Sequence, residues 1–282
     1  MNGESGDHCD QTGSPESDFP DGLPLLNGVA FSKPEVGVNR SFPPLTLIST
    51  PIGNLGDLTL RAIEALKCCD VVIAEDTRRA ANLLGHLRIR RPLVSFHEHN
   101  EERRLPELVR RLKGGELLAM VTDAGTPSVS DPGYRLVRAC IDEKIAYTVL
   151  PGPSAVITAI AGSGLPPVPF IFGGFLPSSG SGRRTELRRA ASAGMTSLYF
   201  ESPHRLSACL ADLEVIAPSA RVCVARELTK IHEEYRQGSP SELHAHYLAN
   251  PARGEITIVF DPNEPSVKKN YSEKMPIPRN LA

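Results

Sequence analysis

The sequence contains no tryptophan, and aromatic side chains make up only 5% of its 282 residues. That scarcity speaks against a large platform of rings on which successive bases of a nucleic acid could stack. Long apolar runs are also missing. Stretches such as Val71–Ala74 and Leu117–Val121 fall far short of the roughly 20 residues that a membrane-spanning helix needs, so no transmembrane helix is expected. The six cysteines (Cys9, Cys68, Cys69, Cys140, Cys209, Cys223) show no C-x-x-C spacing, and all but Cys9 sit in apolar-patterned segments. Such cysteines are expected as buried thiols rather than as zinc ligands or a disulfide framework. No G-x-G-x-x-G, G-x-x-x-x-G-K-[ST] or G-x-S-x-G is present. Nicotinamide binding, nucleotide hydrolysis through a P-loop and the serine hydrolase mechanism all lose support.

Excess charge of either sign is lacking overall, with a formal net charge of -2. The average hides a segregation: the first 44 residues hold two basic against seven acidic side chains, leaving 29 basic and 26 acidic, a net +3, over the rest. That first stretch has neither the basic and apolar regions of a secretion signal nor the basic character of an organelle transit peptide. It is expected to be a disordered acidic tail over residues 1–44, and the location cytoplasmic.

From Leu45 onward, short β-branched runs alternate with segments of helical period, the signature of parallel strands joined by crossover helices. Strands are expected over 45–50, 71–74, 93–96, 117–122 and 146–150, with helices over 57–67, 78–87, 101–113 and 132–143. A helix over 155–162 leads into the turn-rich Gly164-Leu165-Pro166-Pro167, which breaks the alternation. Beyond it, strands are expected over 170–173, 197–200, 221–225, 231–237 and 255–260, and helices over 183–193, 204–216 and 241–249. Adjacent strands there lack crossover helices in places, so that sheet is expected to be mixed. The chain therefore reads as two α/β domains, 45–164 with a mainly parallel sheet and 165–261 with a mixed one, followed by a flexible tail over 262–282.

In an open α/β sheet the ligand sits beyond the carboxyl ends of the strands. Here those positions are rich in polar residues and glycine: Thr50-Pro51-Ile52-Gly53-Asn54, Glu75-Asp76-Thr77-Arg78, His97-Glu98-His99-Asn100, Asp123-Ala124-Gly125-Thr126-Pro127, Gly152-Pro153-Ser154, Glu201-Ser202-Pro203-His204-Arg205 and Arg226-Glu227. Turn formation and helix capping account for any one of them. Seven on one predicted edge are better explained by a site. His97 and His99 offer two metal ligands, but no third can be identified, and no metal is expected.

With Ser130-Asp131-Pro132-Gly133 and Ala225-Arg226-Glu227-Leu228-Thr229-Lys230 added in order and spacing, these motifs closely resemble the ribosomal RNA small subunit methyltransferase I family. That family belongs to the tetrapyrrole (corrin/porphyrin) methylase superfamily, and the resemblance covers residues 45–260. It implies two α/β domains with S-adenosyl-L-methionine in the cleft between them. It also implies methylation of the ribose 2'-hydroxyl of a cytidine in the decoding centre of small-subunit (16S) rRNA, and a homodimer.

Carried onto this chain, the cofactor-binding residues are expected to be Asp123, Ala124, Gly125, Thr126 and Pro127, with Ser154, Ala155, Phe200, Ala225 and Gly254 lining the rest. Glycine permits close approach of the main chain, and Asp123 or Thr126 can hydrogen-bond the cofactor. Transfer to a sugar oxygen benefits from a general base, for which Glu98, Glu75, Asp76 and Lys230 are the candidates. These carboxylates could equally cap helices or pair with Arg78 and Arg103. Arg183, Arg184, Arg188 and Arg189, after the glycine- and serine-rich 178–182, are expected as a mobile arm gripping phosphates, with Asn54, His97 and His99 as further RNA contacts. The competing readings are a small-molecule methylase of the same superfamily and a non-catalytic ribosome-binding protein that keeps the fold.

Overall fold

The computed structural model describes residues 42–263. Residues 1–41 and 264–282 lie outside the described residues, and with them nearly all of the two expected tails. Strands β1 (Leu45–Ile48), β2 (Val71–Ala74), β3 (Leu93–Ser95), β4 (Leu118–Val121) and β5 (Tyr147–Leu150) form one sheet in the order β3-β2-β4-β1-β5. All its pairings are parallel. The runs LTLI, VVIA and LAMV of β1, β2 and β4 are buried at every residue, because helices cover both faces of a parallel sheet and leave no polar side to alternate toward. Helices α1 (Leu60–Cys68) and α2 (Thr77–His86) supply Ala62, Leu66, Ala80 and Leu84 to one face. On the other, α3 (Glu101–Lys113) and α4 (Tyr134–Asp142) supply Leu108, Leu112, Leu136 and Cys140. The chain leaves β1 toward β2 and leaves β4 toward β5, in opposite directions from neighbouring strands. That divergence makes a topological switch point at their carboxyl ends.

The second sheet holds β6 (Phe170–Phe175), β7 (Thr196–Glu201), β8 (Arg221–Arg226), β9 (Glu234–Gly238) and β10 (Ile256–Asp261), in the order β6-β7-β10-β8-β9. Only β6 and β7 are parallel; the other pairings are antiparallel, so the sheet is mixed as expected. Helices α6 (Gly180–Ser192), α7 (Leu206–Ile216) and α8 (Pro240–Ala249) pack on one face. The other face meets α5 (Ala155–Gly162), whose Val156, Ala159 and Ile160 share a buried cluster with Ile52 of the first unit and with Leu198, Ala225 and Val259. Tyr235 Oη donates to Thr158 O (3.2 Å) and Gln237 Nε2 to Ser163 O (2.8 Å), tying β9 to α5 and its end.

Several expected boundaries move for local reasons. The helix expected from 57 is a 3-10 turn over Leu55–Asp57 followed by α1, because the Thr59 side chain caps Ala62 N–H and starts a new helix there. The strand expected from 231 begins only at Glu234; Glu227 and Thr229 adopt left-handed φ of 51° and 64° and turn the chain, which leaves Ile231 93% exposed. Cys69, Cys140, Cys209 and Cys223 are buried thiols, whereas Cys68 is exposed at the end of α1. Burial pushes the Cys140 and Cys223 thiols up to about 11, which keeps them protonated and unreactive.

Tyr199 is the largest fully buried side chain; its hydroxyl donates to Glu186 Oε1 (2.6 Å), and its ring stacks on Phe260 at 6.4 Å between centroids. A Cβ on Gly173 of the neighbouring β6 would overlap that ring, which is held on both sides and cannot step away. Gly173→Ala is therefore expected to cost about 1–3 kcal/mol of stability through overpacking, measured by urea denaturation. An unchanged midpoint would show that the ring yields.

Candidate active site

The two sheets face each other across a cavity of about 590 Å³, within the range of about 300–1,000 Å³ usual for cofactor sites. Its walls come from the strand ends of both units. The loop leaving β4 is bound to the loop leaving β1: Thr50 N–H donates to Gly125 O (2.8 Å), and Gly125 N–H donates to Thr50 O (3.0 Å). Thr50 Oγ1 donates to Thr122 O (3.1 Å), and the Ser49 and Thr126 hydroxyls lie 3.0 Å apart. Gly125 has φ +86°, and a Cβ there would touch Ile52 Cγ2 alone, at 3.7 Å. The missing side chain leaves main chain as the wall of the cavity.

Of the ten residues expected around a cofactor, nine line this cavity: Asp123, Ala124, Gly125, Thr126, Ser154, Ala155, Phe200, Ala225 and Gly254. Pro127 does not. Asp123 is also structural, since Oδ1 accepts from Asp76 N–H (3.2 Å) and Oδ2 lies 3.4 Å from Arg79 Nε. The Ser154 hydroxyl caps α5 by accepting from Ile157 N–H (3.4 Å). Phe200 contacts Phe172 and Phe175 edge-on, with ring centroids 5.0 and 5.3 Å away, which gives the second-sheet side of the cavity an aromatic face.

The candidate bases separate. Glu75 lines the cavity, and burial together with the Asp123 carboxylate raises its pKa. Asp76 does not reach the cavity; it caps α2 through Arg78 N–H (2.8 Å) and pairs with the Arg78 guanidinium (2.8 Å), which holds its carboxyl down to about 2. Glu98 is exposed in the turn before α3, outside the cavity wall. Lys230 binds Glu227 (2.8 Å) and Glu255 (3.1 Å); burial opposes its charge, but the two carboxylates prevail and raise its pKa, so it stays an ammonium. It cannot take up a proton.

Among the cavity residues given no role from the sequence are Glu201 and Asp131. Glu201, 3% exposed, accepts from Ser202 N–H (2.7 Å) and pairs with Arg205 (2.6 Å) through Oε1, while its buried Oε2 has no hydrogen-bond partner. Asp131 lines the cavity; burial, with the Glu75 carboxylate next, pushes it up to about 7. Both belong to strand-end motifs, but only their burial distinguishes them from turn residues.

The arginine arm is corrected by the structure. Helix α6 begins at Gly180, because the Ser179 hydroxyl accepts from Gly182 N–H (3.2 Å) and Arg183 anchors the first turns. Arg183 is 7% exposed, with Nε 2.8 Å from Asp212 Oδ2; Arg184 reaches the same carboxylate at 3.6 Å, and Arg189 holds Glu186 at 2.6 Å. Three of the four cations thus pair within the fold, and Arg188 alone is exposed without an ion pair among the described residues. Asn54 caps the 3-10 turn by accepting from Gly56 N–H (2.9 Å). His97 and His99 lie with ring centroids 6.0 Å apart in the turn before α3, and neither lines the cavity.

The tetrapyrrole (corrin/porphyrin) methylase family model matches residues 44–244. Proteins named ribosomal RNA small subunit methyltransferase I are similar over most of the chain: that of Thermotoga maritima is 44% identical over 220 residues, covering 78% of this chain and 99% of its own length. The Synechocystis protein is 42% identical over 231 residues, covering 82% and 83%. The chain belongs to the ribosomal RNA small subunit methyltransferase I family. Solved structures share the superfamily fold, among them the uroporphyrin III C-methyltransferase of Thermus thermophilus (TM-score 0.55, 18% identity, 76% of this chain and 96% of that one) and a diphthine synthase (TM-score 0.60, 12% identity, 76% and 88%).

The Arg183–Asp212 pair predicts a structural cost for an arm variant. Arg183→Gln removes the nearer cation from Asp212 and leaves it only Arg184 at 3.6 Å, and is expected to lose about 1–3 kcal/mol, whereas Arg188→Gln stays within about 0.5 kcal/mol, both by chemical denaturation. Equal stabilities would return Arg183 to the solvent-facing group.

Proposed function

We propose that this chain transfers a methyl group from S-adenosyl-L-methionine to the ribose 2'-hydroxyl of a cytidine in the decoding centre of small-subunit rRNA. The observation that carries this reading is a cofactor-sized cavity at the switch point of a chain 42–45% identical, over most of its length, to relatives named as small-subunit rRNA methyltransferases.

The residues present fit the cofactor. Ile52, Val156, Phe200 and Leu228 form apolar wall, and the bare Gly125 main chain offers backbone groups at close range. The unpartnered Oε2 of Glu201 would accept a donor of the bound molecule, which relieves the cost of an unsatisfied buried acceptor. Glu75, Asp123 and Asp131 place acidic groups along the first-sheet side, complementary to a cation. When bound, S-adenosyl-L-methionine supplies an electrophilic methyl group on a positively charged sulfur. The fold's contribution is chiefly to hold the sugar oxygen in line with that methyl group. Arg79 at the cavity wall and Arg184 and Arg188 on the outer side of α6 are exposed cations suited to phosphates.

A homodimer in the cytoplasm completes the reading. Strand β5 is a sheet edge whose Tyr147 and Val149 are exposed, and an apolar edge is stabilised when a second copy covers it. No helix among the described residues is long and apolar enough to cross a membrane.

Purified protein is expected to bind S-adenosyl-L-methionine in calorimetry and to transfer labelled methyl groups to small ribosomal subunits, with the label mapping to a cytidine ribose. Label on a base, or none, would overturn the reading. Gly125→Ala puts a methyl group into the cavity and should weaken cofactor affinity at least about tenfold, or about 1.4 kcal/mol. Wild-type affinity in that variant would place the cofactor elsewhere.

A further inference from the structure

The segment between β4 and α4 is folded in an unusual way. Ser128 and Ser130 have φ of 73° and 63°, and Gly133 has φ of 134°. Two non-glycine residues in the left-handed region within three positions mark a conformation held by its surroundings. Ser128 N–H donates to Pro132 O (3.0 Å), Val129 N–H donates to Thr126 O (3.3 Å), and a Cβ on Gly133 would strike Ser128 Oγ and press on Met120. The loop is thus doubled back and packed onto β4. The result is that Val129, Ser130 and Asp131 enter the cavity wall beside Gly125 and Thr126.

Charged groups line the cavity from every element around it: Glu75 after β2, Asp123 after β4, Arg79 on α2, Glu201 at the end of β7 and Glu255 before β10, and of these the Glu75 and Asp123 carboxylates act on Asp131. Arg79 is directed to Asp123 at 3.4 Å, Arg205 serves Glu201 at 2.6 Å, and Lys230 serves Glu255 at 3.1 Å. Glu75 and Asp131 are left without an ion pair among the described residues. Carboxylates crowded this way in a half-buried cleft cannot all ionise cheaply, so one retains a proton near neutrality. Burial and the Glu75 carboxylate make Asp131 that group, at about 7.

We propose that Asp131 is the catalytic residue that accepts the proton of the attacking sugar hydroxyl. The inference rests on the methyltransferase reading of the same cavity. In the step, the ribose O–H bond breaks and its proton passes to the Asp131 carboxylate, while the oxygen lone pair forms the new O–CH₃ bond. The S–CH₃ bond breaks with its electron pair kept by sulfur, which leaves a neutral thioether. One carboxylate and one sulfonium become two neutral groups. A water-poor cleft favours this cancellation of charge, and an acceptor that titrates near the working pH is the efficient choice.

Single-turnover methyl transfer to small subunits, measured from pH 5.5 to 9, tests the assignment. Since the base must be ionised, the wild-type rate is expected to rise with pH and then level off, with its midpoint at or below about 7 because the bound cation favours the ionised carboxylate. At saturating cofactor, Asp131→Asn should lose about 100-fold or more in rate and lose the pH step. Glu75→Gln removes the neighbouring negative charge and should move the midpoint to lower pH, which decides the matter even if Asp131→Asn fails to fold. A near-wild-type rate in Asp131→Asn at saturating cofactor, a pH step that persists in that variant, or an unmoved midpoint in Glu75→Gln would overturn the role. Failure of the underlying reading is distinct from these: wild-type protein would then transfer no methyl group to the subunits at any pH.

Discussion

Two backbone hydrogen bonds, from Thr50 N–H to Gly125 O and from Gly125 N–H to Thr50 O, join the loop leaving β1 to the loop leaving β4. They close the switch point like one rung of an antiparallel ladder laid across the end of a parallel sheet. The β1 and β4 loops on the first-sheet side of the cavity are joined by that rung. It orients Asp123 toward Asp76 N–H and Arg79, brings Thr126 to Ser49, and sets the left-handed turn at Gly125 from which the loop carrying Asp131 departs. Any side chain at Gly125 would both strain the turn and enter the cavity.

The second sheet answers from the other side. Its outer face is closed by α6, α7 and α8, and its inner face is tied to α5, so the strand ends carrying Phe200, Glu201 and Ala225 are presented to the switch point. Charge is distributed unevenly across the cleft. The arginines nearest the second core, Arg183 and Arg205, are engaged by Asp212 and Glu201, whereas the carboxylates Glu75 and Asp131 on the first side form no ion pair among the described residues. The fold thereby sustains a local excess of negative charge where a cationic methyl donor is expected.

Much of this was legible in the sequence. The alternation of buried runs with amphipathic segments located the ten strands and eight α-helices of the described residues to within a few residues, since a parallel sheet under helices demands continuous apolar runs at a regular spacing. The strand-end motifs, together with the family resemblance they carry, located nine residues of the cavity wall, because topology brings those positions to one edge. What escaped was tertiary. Gly180, Ser181 and Gly182 have weak helix propensity, yet a Ser179 cap and the Arg183–Asp212 pair draw them into α6. Asp76 and Glu75 are adjacent in sequence, but only the structure shows that one is consumed by Arg78 while the other faces the cavity. Glu201 and Asp131 were visible as motif letters, and nothing short of burial and pairing could separate them from ordinary turn residues.

The central claim is that the cavity closed by the Thr50–Gly125 rung holds the methyl donor. A crystal structure of the protein with S-adenosylhomocysteine tests it most directly. The account predicts the ligand against the Gly125 main chain, with one of its donors on Glu201 Oε2 and its sulfur toward the Glu75 and Asp131 side. Ligand density outside this cavity, or within it but leaving Glu201 Oε2 unpartnered and the sulfur turned toward Phe200, would contradict it.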